Sequence, residues 1–258
     1  MVKFVLIGGV AFLASGLTLF SGFGLGTLLM PAFAVFSPVD VAVALTALVH
    51  FTNNLFKLFL LWRNAHWPTV ARFGLPAILA SFFGARALVW LSDLEPILTY
   101  GLVGHEFRVM PVKLVVAVLL IVFAGIELSP RFAQLTFPQR YLPVGGVLSG
   151  FFGGLSGNQG ALRSAFLIKG GFSKERFIAT GVLVACLVDI TRLTVYGRHF
   201  AQAGLSENAP LVGVACVTAF FGAFAGSRLL EKVSIQTVQR IVAGMLVLVS
   251  VALAAGLI

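Results

Sequence analysis

Residues 153–160 read GGLSGNQG and sit between two strongly apolar segments. Near the start of the chain, residues 21–26, SGFGLG, occupy the same kind of setting. Glycine loosens a helix and bares its backbone. In lipid, unpaired N–H and C=O groups are tolerated only where protein or a water-filled cavity surrounds them. Two such runs in an apolar chain therefore predict two discontinuities that face the interior of a membrane protein.

The rest of the chain supplies the lipid setting. It has 258 residues, 59% hydrophobic and only 10% charged, with a mean hydropathy of +1.03. Soluble domains run near half apolar and a quarter charged. Apolar runs recur from end to end, so residues 1–258 read as a single transmembrane domain. The net charge of +9 fits basic residues gathered in cytoplasmic loops. No basic run interleaved with aromatics occurs, so a nucleic-acid partner is not expected. Cys186 and Cys216 lie inside apolar segments, and His66, His105 and His199 are scattered through loops, so neither a metal site nor a cofactor is expected. Residues 4–20 have the look of a signal peptide, but an internal repeat implies that they are kept.

A shift of 135 positions aligns residues 21–58 with 156–193 without a gap. Ser21-Gly22 falls on Ser156-Gly157, Asp40 on Glu175, Asn54 on Asp189 and Lys57 on Arg192. Farther on, FFGARAL (82–88) resembles FFGAFAGSRLL (220–230). The chain is read as duplicated, with repeat one at about 1–129 and repeat two at about 130–258. Apolar segments fall at about 2–20, 25–36, 40–62, 69–91 and 111–128, then at about 141–155, 160–171, 176–197, 209–229 and 237–258. Those after the breaks are short. Twelve helical residues reach about 18 Å, against a hydrocarbon core of roughly 30 Å. Each break either kinks one span or turns the chain back to its starting side.

Charge separates these alternatives. If the chain turns back, Arg63, Arg72, Arg131, Arg140, Lys169, Lys174, Arg176, Arg228, Lys232 and Arg240 share one face. The other face holds Lys3, Arg108, Lys113 and Arg198. That asymmetry obeys the positive-inside rule, whereas simple kinks would divide the same residues almost evenly. An odd number of passes per half follows, with both termini outside the cytoplasm. The expected fold is an all-α polytopic membrane protein of two inverted-topology repeats. Each has a Gly-rich broken or re-entrant helix pair plus three long transmembrane helices, the usual build of secondary transporters.

Each short helix after a break points its first N–H groups and positive dipole end into the gap, which favours an anion. Gly22, Gly24, Gly26, Gly157 and Gly160 would let backbone approach a ligand, while Ser21, Thr27, Ser156, Asn158 and Gln159 would add side-chain donors. Small residues also serve helix packing, and GAFAG at 222–226 is read that way. Arg163, in the first turn of the second short helix, is expected to meet substrate. Lys57 and Arg86 lie where snorkelling competes with a role at the site. Asp189 and Arg192 are three apart on one helical face. They form either a static ion pair or a site where a protonatable Asp189 couples proton and anion movement, with Arg192 beside the substrate. His50 and Asn54, four apart with Asn53 adjacent, line a polar path or bond to a neighbouring helix.

Three stretches carry a family resemblance. SGLTLFSGFGLGTLLMPAF (15–33) is similar to the opening Gly-rich segment of the sulfite exporter TauE/SafE family, which typically closes on a proline, here Pro31. NAHWPTVARFGLPAILASFFGARAL (64–88) resembles the family's next loop and helix, and SGFFGGLSGNQGALRSAFLI (149–168) its second Gly-rich segment. Asn158-Gln159, Ala161, Arg163 and Phe166 depart from the usual glycine cluster and proline there. The resemblance implies a multi-pass protein of the bacterial inner membrane that moves small sulfur-containing anions, organosulfonates or carboxylates. An arginine suits bidentate recognition of such oxygens.

Other readings stay open. Gly154-Leu-Ser156-Gly157 spells the GxSG of a rhomboid-like intramembrane serine protease, which would need a histidine within reach of Ser156. The duplicate Ser21-Gly22 accounts for the motif without chemistry, and no enzyme is expected. A passive anion channel would share the site and differ in coupling. An assembly factor would carry no flux. Partners are thus a small anion and the bilayer, with homo-oligomerisation left open.

Overall fold

A computed structural model describes residues 1–17, 25–102, 104–133, 135–200, 207–229 and 235–258. Helix α1 (Val2–Leu17) and the short α2 (Leu25–Ala34) flank the first break, and α3 (Val39–Leu61) follows. The small α4 (Trp67–Thr69) runs through a π-helical turn at Val70–Gly74 into α5 (Leu75–Ser92). Pro76 explains the turn: it has no N–H for the Arg72 carbonyl, and its ring crowds that oxygen. Next come strands β1 (Leu98–Leu102) and β2 (His105–Val109), then α6 (Pro111–Leu128) and α7 (Pro130–Ala133). The second half holds α8 (Leu142–Ser156), α9 (Gly160–Leu167), α10 (Lys174–Phe200), α11 (Ala209–Leu229) and α12 (Ile235–Ala254).

The helices fall where the apolar segments predict. Asp40 and Glu175, repeat equivalents in the sequence, both stand in the first turn of the long helices α3 and α10, where a carboxylate meets the positive dipole end. Among the described residues, Val39–Asn64, Trp67–Ser92 and Lys174–Gly197 are long and apolar enough to cross a bilayer. Further apolar stretches, Pro111–Ile126, Ala209–Ala225 and Ala243–Ala254, lie within α6, α11 and α12. The antiparallel hairpin, Leu98 opposite Val109 and Leu102 opposite His105, is an addition to the all-helical expectation. Gly104 turns it at φ +78°, and the Tyr100 hydroxyl donates to the Ala255 carbonyl 2.6 Å away, tying it to the end of α12.

The largest helix pairings join the two halves: α5 with α8, α1 with α11, α3 with α10, and α6 with α12. Glycine makes the first two possible. On α8, Gly146, Gly150 and Gly154 lie one above another and face the carbonyls of Phe73, Ala77 and Ser81, so close that a Cβ at any of them would overlap backbone. In the matching contact Gly222 of α11 meets the Phe12 carbonyl of α1, a packing role for that glycine. Overpacking of this kind typically costs about 1–3 kcal/mol, more where backbone must move. Gly150→Val is therefore expected to lower the thermal unfolding temperature of the detergent-solubilised protein sharply. Gly9→Ala, which meets open space, leaves it nearly unchanged.

At the second break the chain turns back. Gly157 adopts φ +83°, the left-handed conformation that closes a helix. Beyond it, Gln159 returns beside α8, where the Ser149 hydroxyl donates to its carbonyl at 3.1 Å. The Phe166 ring, near the end of α9, lies against Gly145 at the start of α8 and stacks on Phe137 at 4.2 Å. So α9 runs antiparallel to α8. Residues of the first break, Ser21, Gly22 and Gly24 among them, lie outside the described residues.

Candidate functional site

Long helices α3 and α10 cross in the interior, and their polar residues meet there. Asp189 and Arg192 are fully buried. His50 Nδ1 lies 2.7 Å from Asp189 Oδ2. Arg192 donates from Nε to Asp189 Oδ1 at 2.9 Å and pairs with the same oxygen through Nη2 at 2.7 Å. When His50 donates from Nδ1, its Nε2 is an acceptor, and Asn54 Nδ2 stands 3.3 Å from it. Histidine, carboxylate and guanidinium thus form one network across the two halves.

Arg192 also finishes the broken helix. Its Nη1 donates to the Gly153 carbonyl at 3.1 Å, and the Tyr196 hydroxyl donates to the carbonyl of Gly154. The Gly153 carbonyl already accepts from the Gly157 N–H at 3.0 Å, and the last turn of a helix carries the negative end of the dipole, so a cation is well placed there. Arg192 is therefore turned toward Asp189 and the end of α8.

The second break reaches the first half at α2. A methyl on Gly26 would lie 3.2 Å from the Gly157 carbonyl oxygen and 3.8 Å from Thr46 Cγ2. Gly26 and Thr27 are buried in the first turn of α2. Ser156 donates to the Phe152 carbonyl at 3.1 Å and faces Asn158 Nδ2 at 3.3 Å. Among the described side chains no histidine is hydrogen-bonded to Ser156. Gln159 Nε2 reaches Asp189 Oδ1 at 3.4 Å, while Gly160 opens α9.

Around this meeting point several buried polar atoms lack hydrogen-bond partners: Thr46 Oγ1, Asn53 Nδ2, Asn158 Oδ1, Gln159 Oε1 and Arg163 Nη1. Arg163 projects from the first turn of α9 toward α10, where a methyl on Gly181 would come within 3.5 Å of its Nε. Half-buried Lys57 makes no hydrogen bond or ion pair among the described residues. Arg86 is exposed, as are Phe82, Phe83 and Trp90 on the same helix. Sequence alone did not reveal the His50–Asp189 bond or the open valences of Thr46 and Asn53. A polar residue in an apolar helix was the available signal, and it does not identify a partner.

A sequence model described as sulfite exporter TauE/SafE matches residues 7–253, spanning both breaks and both long crossing helices. Comparisons with curated proteins and with solved structures give no match. Proteins of this family are membrane transporters and not enzymes. With its apolar helices and a match over nearly its whole length, this multi-pass membrane protein belongs to the sulfite exporter TauE/SafE family.

Proposed function

We propose that the protein is a secondary transporter of small sulfur-containing or organic anions, such as sulfite, organosulfonates or carboxylates. The anion binds where the second break meets the first turn of α2. The amino-terminal turns of α2 and α9, the polar groups of Ser156, Asn158 and Gln159, and the guanidinium of Arg163 compensate its charge. One observation carries this reading: Arg163 Nη1 is buried without a partner beside the crossing of the two halves. A desolvated guanidinium N–H is costly to leave unpaired, and an oxyanion is its natural complement. Lys57 adds a second positive charge at the edge of the site.

The pairing of α1 with α11 and of α5 with α8 is the exchange expected of two repeats related by a two-fold axis, and it supports an inverted-repeat build. Access then alternates as one half rocks against the other about α3 and α10. Asp189 is the coupling carboxyl, with His50 its direct partner. The protein lies in the bacterial inner membrane with both termini outside the cytoplasm. Compartment-specific reporters fused to each end test that orientation.

The binding site is tested by thermal unfolding of purified protein with sulfite, thiosulfate, alkanesulfonates and carboxylates. A ligand held only by the folded state at a hundred times its dissociation constant adds about 2.7 kcal/mol of apparent stability. Stabilisation by at least one anion and by no matched neutral compound is expected. The coupling is tested in proteoliposomes, where flux accelerated by a proton gradient favours the transporter and gradient-independent flux favours a passive channel.

A further inference from the structure

The open valences at the second break are not all donors, and this restricts what binds there. Gln159 is 2% exposed, and its amide nitrogen stands 3.4 Å from Asp189 Oδ1. An ionised carboxylate only accepts, so the amide must turn its NH2 toward Asp189 and its oxygen away. That oxygen, Oε1, is buried and meets no donor. Asn158, 4% exposed, is oriented in the same manner. The Ser156 hydroxyl spends its hydrogen on the Phe152 carbonyl, so Asn158 must offer Nδ2 to the serine oxygen, leaving Oδ1 buried and unpartnered. Two amide carbonyls therefore lack donors one helical turn before Arg163, whose backbone N–H bonds to the Gln159 carbonyl and whose Nη1 is likewise buried without a partner.

A bare oxyanion presents lone pairs in every direction. It suits Arg163 but stands against both carbonyls, leaving them desolvated and unsatisfied. We infer that the site takes an oxyanion carrying its own hydrogen-bond donor, a hydroxyl or amino group that answers Gln159 Oε1 and Asn158 Oδ1 while the anionic oxygens answer Arg163. This rests on the reading that an anion binds at the second break, and it names the class of anion. A site built to hydrogen-bond a hydroxyl discriminates strongly against the analogue that lacks it, because its own buried polar groups are then left unpaired.

The test is a pair of probes alike in their anionic head. Ethanesulfonate and 2-hydroxyethanesulfonate, then propanesulfonate and 3-hydroxypropanesulfonate, are titrated against the purified full-length chain by calorimetry. In at least one pair the hydroxylated probe is expected to bind about 10-fold tighter or better. Gln159→Met is expected to bring that ratio close to one. The wild-type ratio decides the inference even if the variant fails to fold. Equal affinity within both pairs means that water answers the two carbonyls, and overturns the inference while anion binding itself stands. No binding by any of the four probes, nor by sulfite or a carboxylate, overturns both.

Discussion

Asp189→Ala is expected to destabilise the protein by about 3–5 kcal/mol, the usual cost of stripping one partner from a buried ion pair. Arg192 would keep its charge at full burial without its carboxylate, and His50 would lose the acceptor 2.7 Å away. Membrane-inserted yield and unfolding temperature should both fall. Asp189→Asn keeps the volume and one acceptor oxygen, so it should fold better than the alanine variant while losing any dependence of flux on a proton gradient. A double variant, Asp189→Ala with Arg192→Met, should recover part of the stability, because the uncompensated charge goes with its partner. An Asp189→Ala protein that unfolds at the wild-type temperature would contradict the network's structural role.

Arg163→Met is expected to show the opposite signature. Its Nη1 is buried without a partner, so removing the guanidinium should leave the ligand-free protein as stable as wild type or more so. Insertion of a charged residue at mid-membrane costs about 2.5–3.5 kcal/mol on translocon scales. The same change removes the principal charge-assisted donor for an anion, and flux in proteoliposomes should fall about 100-fold or more. Stabilisation by the best anion should vanish with it. Retained flux, or a large loss of stability, would return Arg163 to a purely structural role.

The two residues differ in how far sequence could speak for them. Arg163 was identified from its place in the first turn of a short helix after a glycine-rich break, and the structure puts it in that turn. Asp189 and Arg192 were legible as neighbours on one helical face because an i,i+3 spacing is a local property. His50 was legible only as a polar residue needing a partner. The partner lies 139 positions away on another helix. The hairpin at residues 98–109 read as loop because its strands are short, and what anchors it is a bond from Tyr100 to Ala255.

Sequence by itself determined the membrane class, the ends of most described helices to within a few residues, and the second break. Hydropathy, helix-terminal acids and glycine runs act within a few residues of where they are written. The charge asymmetry also favoured a chain that turns back at the second break, as it does. Tertiary structure alone decided that the glycine face of α8 lies on α5 and that Gly26 arrives beside Gly157. It also turned Arg192 toward the end of α8 and left Arg163 with an open valence. Such outcomes depend on which surfaces approach within a van der Waals contact. Several apolar helices of similar composition offer many pairings in lipid, and close packing with polar satisfaction selects among them.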